Sequence, residues 1–212
     1  MDLNILYSDA QILVCEKPSD TLSEGDSPRS LPTLLGARLT EQGQDTTLFC
    51  VHRLDRETTG LTVLARTSQA AAALSSAIRE HRFHKEYLAL LWGVPDTPEG
   101  TLTDLLFYDR QRGKAFVVDR KRKGVREAAL SYELLRTDGR RSLLRVTLHT
   151  GRTHQIRVQF ASRGLPLVGD RRYGAPTEAT GMRLHAARLQ FPHPRTGEPL
   201  DFSSLPPWVE EI

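Results

Sequence analysis

The run His52-Arg53-Leu54-Asp55-Arg56-Glu57-Thr58-Thr59-Gly60 sets a carboxylate between two arginines, and apolar residues flank it on both sides, Leu48–Val51 before and Leu61–Ala65 after. A carboxylate among positive charges stays ionised at neutral pH, which makes it a poor general acid and a persistent nucleophile or base. The same residues also suit a structural turn, with an arginine and the backbone of Thr58 or Thr59 tying Asp55 down. The local sequence leaves both readings open.

Two distant stretches bear on the choice. In His149-Thr150-Gly151-Arg152-Thr153-His154-Gln155-Ile156-Arg157, cations cluster where a strand gives way to a helix. A helix start favours anions, and arginines there add phosphate or carboxylate recognition. Arg157 follows the apolar Ile156, so it is expected to be partly buried and to need a counter-charge. In Lys85-Glu86-Tyr87, a tyrosine near basic groups can stack on a nucleobase, although a strand tyrosine is more often core. His52, His149, His154, His185 and His193 have no metal-ligand spacing, so no metal is expected. No GxGxxG or GxxxxGK[ST] run occurs, so neither a dinucleotide nor a P-loop site is expected.

The elements that must hold these residues are mostly strands. "NILYSDAQILVCEKP" reads as two strands around Ser8-Asp9-Ala10, and "PSDTLSEGDSPRSLP" as a loop. "TLLGARLTEQG" has helical spacing and stops at Gly43. "GLTVLA" is a strand leaving the Asp55 turn, and "TSQAAAALSSAIREHR" is the clearest helix, capped by Thr67 or Ser68. "FHKEYLALLWG", "TLTDLLFY", "KAFVV", "EAALSYELLRT" and "RSLLRVTLHT" read as strands, and "GRTHQIRVQFASRG" as a helix capped by Thr153. "MRLHAARLQF" and "PLDFSS" make a last hairpin. The pattern predicts an α+β domain, a mixed and mainly antiparallel sheet with about three helices packed on it. No linker divides the chain, so a single domain over 1–212 is expected.

Charge is unevenly placed. The net charge is +3, yet residues 1–50 hold three cations and eight acids, so the remainder carries +8. Residues 110–126 hold eight cations, among them Arg120, Lys121, Arg122 and Lys123, against Asp119 alone. Planar arginine forks suit phosphate, so the asymmetry points to an RNA or DNA partner. Cys15 and Cys50 sit in apolar runs and read as small buried hydrophobes, not a disulfide or metal framework. No run is apolar enough to span a membrane, and "MDLNILYSDA" is not a signal peptide, so a cytoplasmic protein is expected.

In series, these stretches resemble the RluA-like family of RNA pseudouridine synthases. The family pattern H-R-L-D-x-x-T-S-G-L stands here as "HRLDRETTGL", with Thr59 where serine is usual. K-x-Y stands as Lys85-Glu86-Tyr87, and the later patterns as "TGRTHQIR", "GLPLVGDRRYG" and "RLHAARLQFPHPRTGEPL". The resemblance runs from about residue 5 to the C-terminus. It implies a sheet with a central RNA-binding cleft and isomerisation of uridine to pseudouridine without metal or organic cofactor. It implies that Asp55 is the catalytic aspartate, that Tyr87 stacks on the target uracil, that Arg157 pairs with Asp55, and that Arg53 helps hold the flipped-out RNA conformation. The expected partner is a stem-loop of ribosomal RNA, transfer RNA or both, bound by a monomer. Two departures stand out. The family's K-P-x-G is here "KPSD", so that loop is expected to be reshaped. The chain is also expected to lack the N-terminal RNA-binding domain many relatives carry, which would shift RNA grip to the basic segments, with Arg152 and Arg120–Lys123 as candidates. Two other readings are a catalytically silent RNA-binding protein of the same fold, and a nucleoside or glycoside hydrolase using Asp55 with Glu57. The first is disfavoured by the joint presence of Asp55, Tyr87 and Arg157.

Overall fold

The computed structural model describes residues 3–177 and 181–212. In chain order the described elements are β1 (Ile5–Ser8), β2 (Ile12–Lys17), α1 (Leu31–Glu41), β3 (Phe49–Cys50), β4 (Thr59–Ala65), α2 (Ser68–Arg79), β5 (His84–Trp92), β6 (Glu99–Asp109), β7 (Lys114–Val118), β8 (Val125–Thr137), β9 (Arg141–Leu148), α3 (Gln155–Ala161), β10 (Leu184–Pro192) and β11 (Pro199–Ser203). They form an α+β fold in two compact units, one made of the chain through Lys85 with His185–Pro206, the other of Glu86–Leu184 with Pro207–Ile212.

In the first unit the strands run in the order β1-β2-β4-β10, with β3 on β4 and β11 on β10. All pairs are antiparallel except β4 with β10. Strands β2 and β4 are buried at nearly every position because both of their faces are covered. Leu13, Cys15 and Leu64 pack against Leu31, Leu35 and Leu39 of α1. Ile12, Val14, Leu61 and Val63 pack against Ala70, Leu74 and Ala77 of α2, with Phe83, Leu189 and Phe191. Period-two alternation thus sends neighbouring residues of one strand under different helices. Burial raises the Cys15 thiol to about 12, so it behaves as the expected small hydrophobe.

Helix α2 starts where its sequence says, whereas α1 begins at Leu31, inside the stretch read as a loop. The Ser30 hydroxyl accepts from the Thr33 N–H and Pro32 follows in the first turn, while the Thr67 hydroxyl accepts from the Ala70 N–H at 3.1 Å. Gly60, at the start of β4, has φ 108°, and a Cβ there would lie 2.4 Å from the Ala186 oxygen. Only glycine lets β10 come this close to the end of the Asp55 turn.

In the second unit the order is β5-β9-β8-β6-β7, antiparallel throughout. Its helix α3 has only seven residues, and Gln155–Phe160 are all buried. Val158 packs with Leu106, Ala115, Ala128 and Tyr173. Thr153 is not its cap. His154 takes that place with φ 57°, and the Gln155 side-chain oxygen accepts from the Arg152 N–H at 3.0 Å and the Thr150 hydroxyl at 2.7 Å. A side chain inside the helix thereby ties the preceding loop down, the work a threonine cap was expected to do.

Candidate active site

Between β3 and β4 the chain alternates inward and outward. His52 and Leu54 are buried, Arg53, Arg56 and Glu57 are exposed, and Asp55 is half-buried. The Asp55 carbonyl accepts from the Thr58 N–H at 3.1 Å, which closes the turn. His52 is its anchor. Its Nε2 accepts from the Val63 N–H at 3.2 Å, and burial together with the Lys85 charge holds its pKa well below the ordinary histidine value. It is a neutral structural imidazole.

The segment after β2 holds this turn from the other side. Lys17 is fully buried, and its Nζ donates to the carbonyls of Pro18 at 2.9 Å, Thr21 at 3.0 Å and Arg56 at 3.1 Å. Burial lowers its pKa to about 8, opposed by the negative charges of Asp55 and Asp20. The Ser23 hydroxyl donates to the Leu54 carbonyl at 2.9 Å and accepts from the Leu54 N–H at 3.0 Å. The Ser19 hydroxyl reaches the Glu57 carbonyl at 3.3 Å. Above this layer lie ion pairs, Arg53 with Glu24 at 2.6 Å and Arg56 with Asp20 at 2.5 Å. Lys17 was not among the residues singled out from the sequence, although a lysine closing an apolar strand before a proline was the visible signal. Asp20 stands where the resembled pattern has glycine, and it adopts φ 61° itself. Aspartate is among the few residues that tolerate that conformation.

Behind the turn runs a polar chain. Thr59 Oγ1 lies 2.8 Å from His185 Nδ1, His185 Nε2 lies 3.0 Å from Ser204 Oγ, and that hydroxyl donates to Glu16. Burial lowers the His185 pKa to about 4. Serine, histidine and acid are all present, but the acid holds the serine and not the imidazole. The arrangement is therefore not a nucleophilic triad, in which the acid must orient the base. It positions Thr59, the residue standing where serine is usual.

In the second unit Tyr87 is buried on β5, in register with Val146 of β9. Arg157 is buried in the first turn of α3, where its Nε and Nη2 donate to the two oxygens of Asp170 at 2.7 and 2.8 Å. Its guanidinium lies 5.3 Å from the centre of the Tyr173 ring. The Tyr173 hydroxyl accepts from the Ala115 N–H at 2.7 Å and lies 2.9 Å from His154 Nδ1. The sequence reading required a counter-charge for Arg157, and Asp170 supplies one that it did not name. The stretch "VGDRRYG" held both Asp170 and Tyr173 and was the available signal.

The remaining basic candidates are exposed. Arg152 donates through Nε to the Glu127 carbonyl at 2.9 Å. Arg120, Lys121, Arg122 and Lys123 fill the loop between β7 and β8, with Lys121 paired to Glu127 at 2.5 Å and Arg122 stacked over Phe107 at 4.9 Å. Among the described residues no group of three or more His, Cys, Asp or Glu could hold a metal ion, and no helix is long and apolar enough to cross a membrane.

Comparison with known proteins bears on what such residues do. Residues 11–162 match the RNA pseudouridylate synthase family. An uncharacterized RNA pseudouridine synthase of Mycobacterium tuberculosis is 36% identical over 95% of this chain and 68% of its own length. The dual-specificity RNA pseudouridine synthase RluA of Vibrio cholerae is 33% identical over 92% of this chain and 79% of its own. The ribosomal large subunit pseudouridine synthase D of Xanthomonas campestris is 34% identical over 97% and 66%. Among solved structures, a human RNA pseudouridylate synthase domain-containing protein superposes with a TM-score of 0.82 at 24% identity, covering 99% of this chain and 86% of that one.

Proposed function

Because the chain belongs to the RNA pseudouridylate synthase family, isomerases that convert uridine in RNA to pseudouridine, we propose that Asp55 is its catalytic carboxylate and that it acts on specific uridines in stem-loops of ribosomal RNA, transfer RNA or both. The observation that carries this reading is the build of the Asp55 turn. Five polar contacts fix its backbone, from Lys17, Ser19, Ser23 and Thr58, and yet Asp55 itself is only half-buried. A purely structural aspartate would not need its own turn held so thoroughly by other residues.

The chemistry asks for little more than one carboxylate. The N-glycosidic bond breaks and uracil leaves with the bonding pair as a delocalised anion, so no dedicated acid is needed as it is for a sugar leaving group. The ring then turns and joins the sugar through carbon, and the proton displaced from that carbon is balanced by one gained at the freed nitrogen. Asp55 serves as nucleophile or as base on the sugar. Tyr87 stacks on the uracil and, with its neighbours, keeps water out. Arg157 is the cation that serves Asp55. The target base must leave its stack, at a cost of a few kcal/mol, and Arg53 supports the opened conformation. Arg152 and the Arg120–Lys123 loop contribute phosphate contacts, which makes binding weaken with salt. The whole of 1–212 acts as one catalytic domain, monomeric and cytoplasmic. The names of the relatives, one a large-subunit ribosomal RNA enzyme and one of dual specificity, support this choice of substrates.

The test is site-by-site mapping of pseudouridine in RNA treated with the wild type, Asp55→Ala and Asp55→Asn. Both variants are expected to lose turnover by at least about a thousandfold, on the scale of removing a catalytic nucleophile or base, and to bind RNA as before. Product formation within tenfold of wild type by either would sink the assignment.

A further inference from the structure

Asp20 and Glu24 carry charge for which the isomerisation has no use. Both stand on the segment after β2, which follows the turn at 53–57 in two layers. The lower layer is buried and made of hydrogen bonds from Lys17 and Ser23 to backbone. The upper layer is made only of charges. Glu24 holds Arg53 at 2.6 Å with side chains 52% and 61% exposed, and Asp20 holds Arg56 at 2.5 Å with 53% and 55% exposed. Asp20 also takes Arg29 at 2.6 Å. Exposed pairs of this kind add little stability, so phosphate, which makes charge-assisted bonds to guanidinium, can displace them. The residue at position 20 has a left-handed φ that glycine would take at lower cost. What aspartate adds there is a carboxylate.

We propose that Asp20 and Glu24 are specificity-determining residues, counter-ions that occupy the two arginines flanking Asp55 until an RNA presents a phosphate to each. This rests on the reading that the Asp55 turn meets RNA. An RNA in the right register exchanges two carboxylates for two phosphates and recovers both pairs. An RNA that meets the surface in another register leaves carboxylate facing phosphate and gains nothing. The acids thus weaken all RNA binding a little and wrong RNA most. They also give Arg56 a part in recognition.

The test measures binding of short oligouridine and of an unrelated RNA hairpin to the full chain, across a salt series. Glu24→Gln and Asp20→Asn are each expected to tighten binding about two- to fivefold at low salt. Each is also expected to steepen the fall of affinity with salt by up to about one unit of log–log slope. Asp20→Gly keeps the left-handed backbone without the carboxylate and must behave like Asp20→Asn. Asp26→Asn makes the same charge change in the same segment, at an exposed acid that holds neither arginine, and is expected to change affinity by less than about 1.5-fold. Equal tightening by Asp26→Asn would reduce the effect to net charge and overturn the proposal. So would unchanged or weaker binding by Glu24→Gln, or an Asp20→Gly that does not tighten. Turnover by Asp55→Asn, measured separately, decides the catalytic reading, so the two can fail independently.

Discussion

Two acid–arginine assemblies in this chain are built in opposite ways. Around Asp55 the ion pairs are more than half exposed, and the backbone beneath is held by neutral hydrogen bonds and one buried lysine. At α3 the Arg157–Asp170 pair is two-pronged, with side chains 2% and 1% exposed, and leans on the Tyr173 ring. The residue types are the same, and burial separates them. In water an ion pair can be exchanged for another anion at little cost, whereas a dry pair cannot open without stranding a charge. The first suits a surface that must trade partners, the second a frame that must not move.

Breaking the dry pair should have the largest effect on stability. Asp170→Asn takes away the carboxylate to which two Arg157 nitrogens donate. Loss of one partner of a buried pair costs about 3–5 kcal/mol. For a chain of this length that is a fall in melting temperature of roughly 6–20 °C, read by circular dichroism. A shift under about 3 °C would mean that Arg157 and Asp170 are no more permanent than the pairs around Asp55, and the contrast would collapse.

The sequence revealed the two regions unequally. Strand alternation, the Thr67 cap and the helical spacing of Leu35 and Leu39 are local signals, and the elements lie where they point, except that α1 starts two residues before the stretch read as helix. Asp55 stood out as a candidate because its neighbours are unusual within a few residues, and the structure places it, half-buried, in the turn between β3 and β4. Asp170 was not, because nothing periodic links it to Arg157 thirteen positions earlier; only folding brings the two together. Lys17 was missed for a related reason. Its charge makes it look like the wet end of a strand, and only the carbonyls of Thr21 and Arg56 explain why it is dry. The Thr153 cap failed because His154 takes a left-handed φ and Gln155 bonds back to the loop, a solution that propensity does not encode.

Acid should sharpen the comparison from the other side, with an intermediate effect. His185 is neutral in the fold, with its pKa lowered to about 4, against about 6.5 unfolded. Below 6.5 the unfolded chain binds a proton that the folded chain refuses. The contribution is therefore complete above pH 6.5 and is lost as pH falls toward 4, by roughly 3 kcal/mol at most. His52 acts in the same direction. Denaturant titrations from pH 7 to 4 should show stability falling through that window, and His185→Gln should flatten the slope. An unchanged slope would mean that His185 does not stay neutral behind Thr59.

The smallest expected change is at the exposed arginines, and it tests the contrast most directly. Arg53→Ala breaks the pair with Glu24, whose members are 61% and 52% exposed. Exposed pairs contribute at most about 1 kcal/mol, and Arg53 also sits on a turn whose backbone is already fixed by Ser23 at Leu54. The melting temperature without RNA should therefore move by about 2–4 °C or less. RNA affinity should fall nonetheless, and its dependence on salt should become shallower by up to about one unit of log–log slope. A variant that melts as early as Asp170→Asn would show that Arg53 is part of the frame. A variant that is stable yet binds RNA with unchanged salt dependence would show that its pair with Glu24 is never exchanged for phosphate.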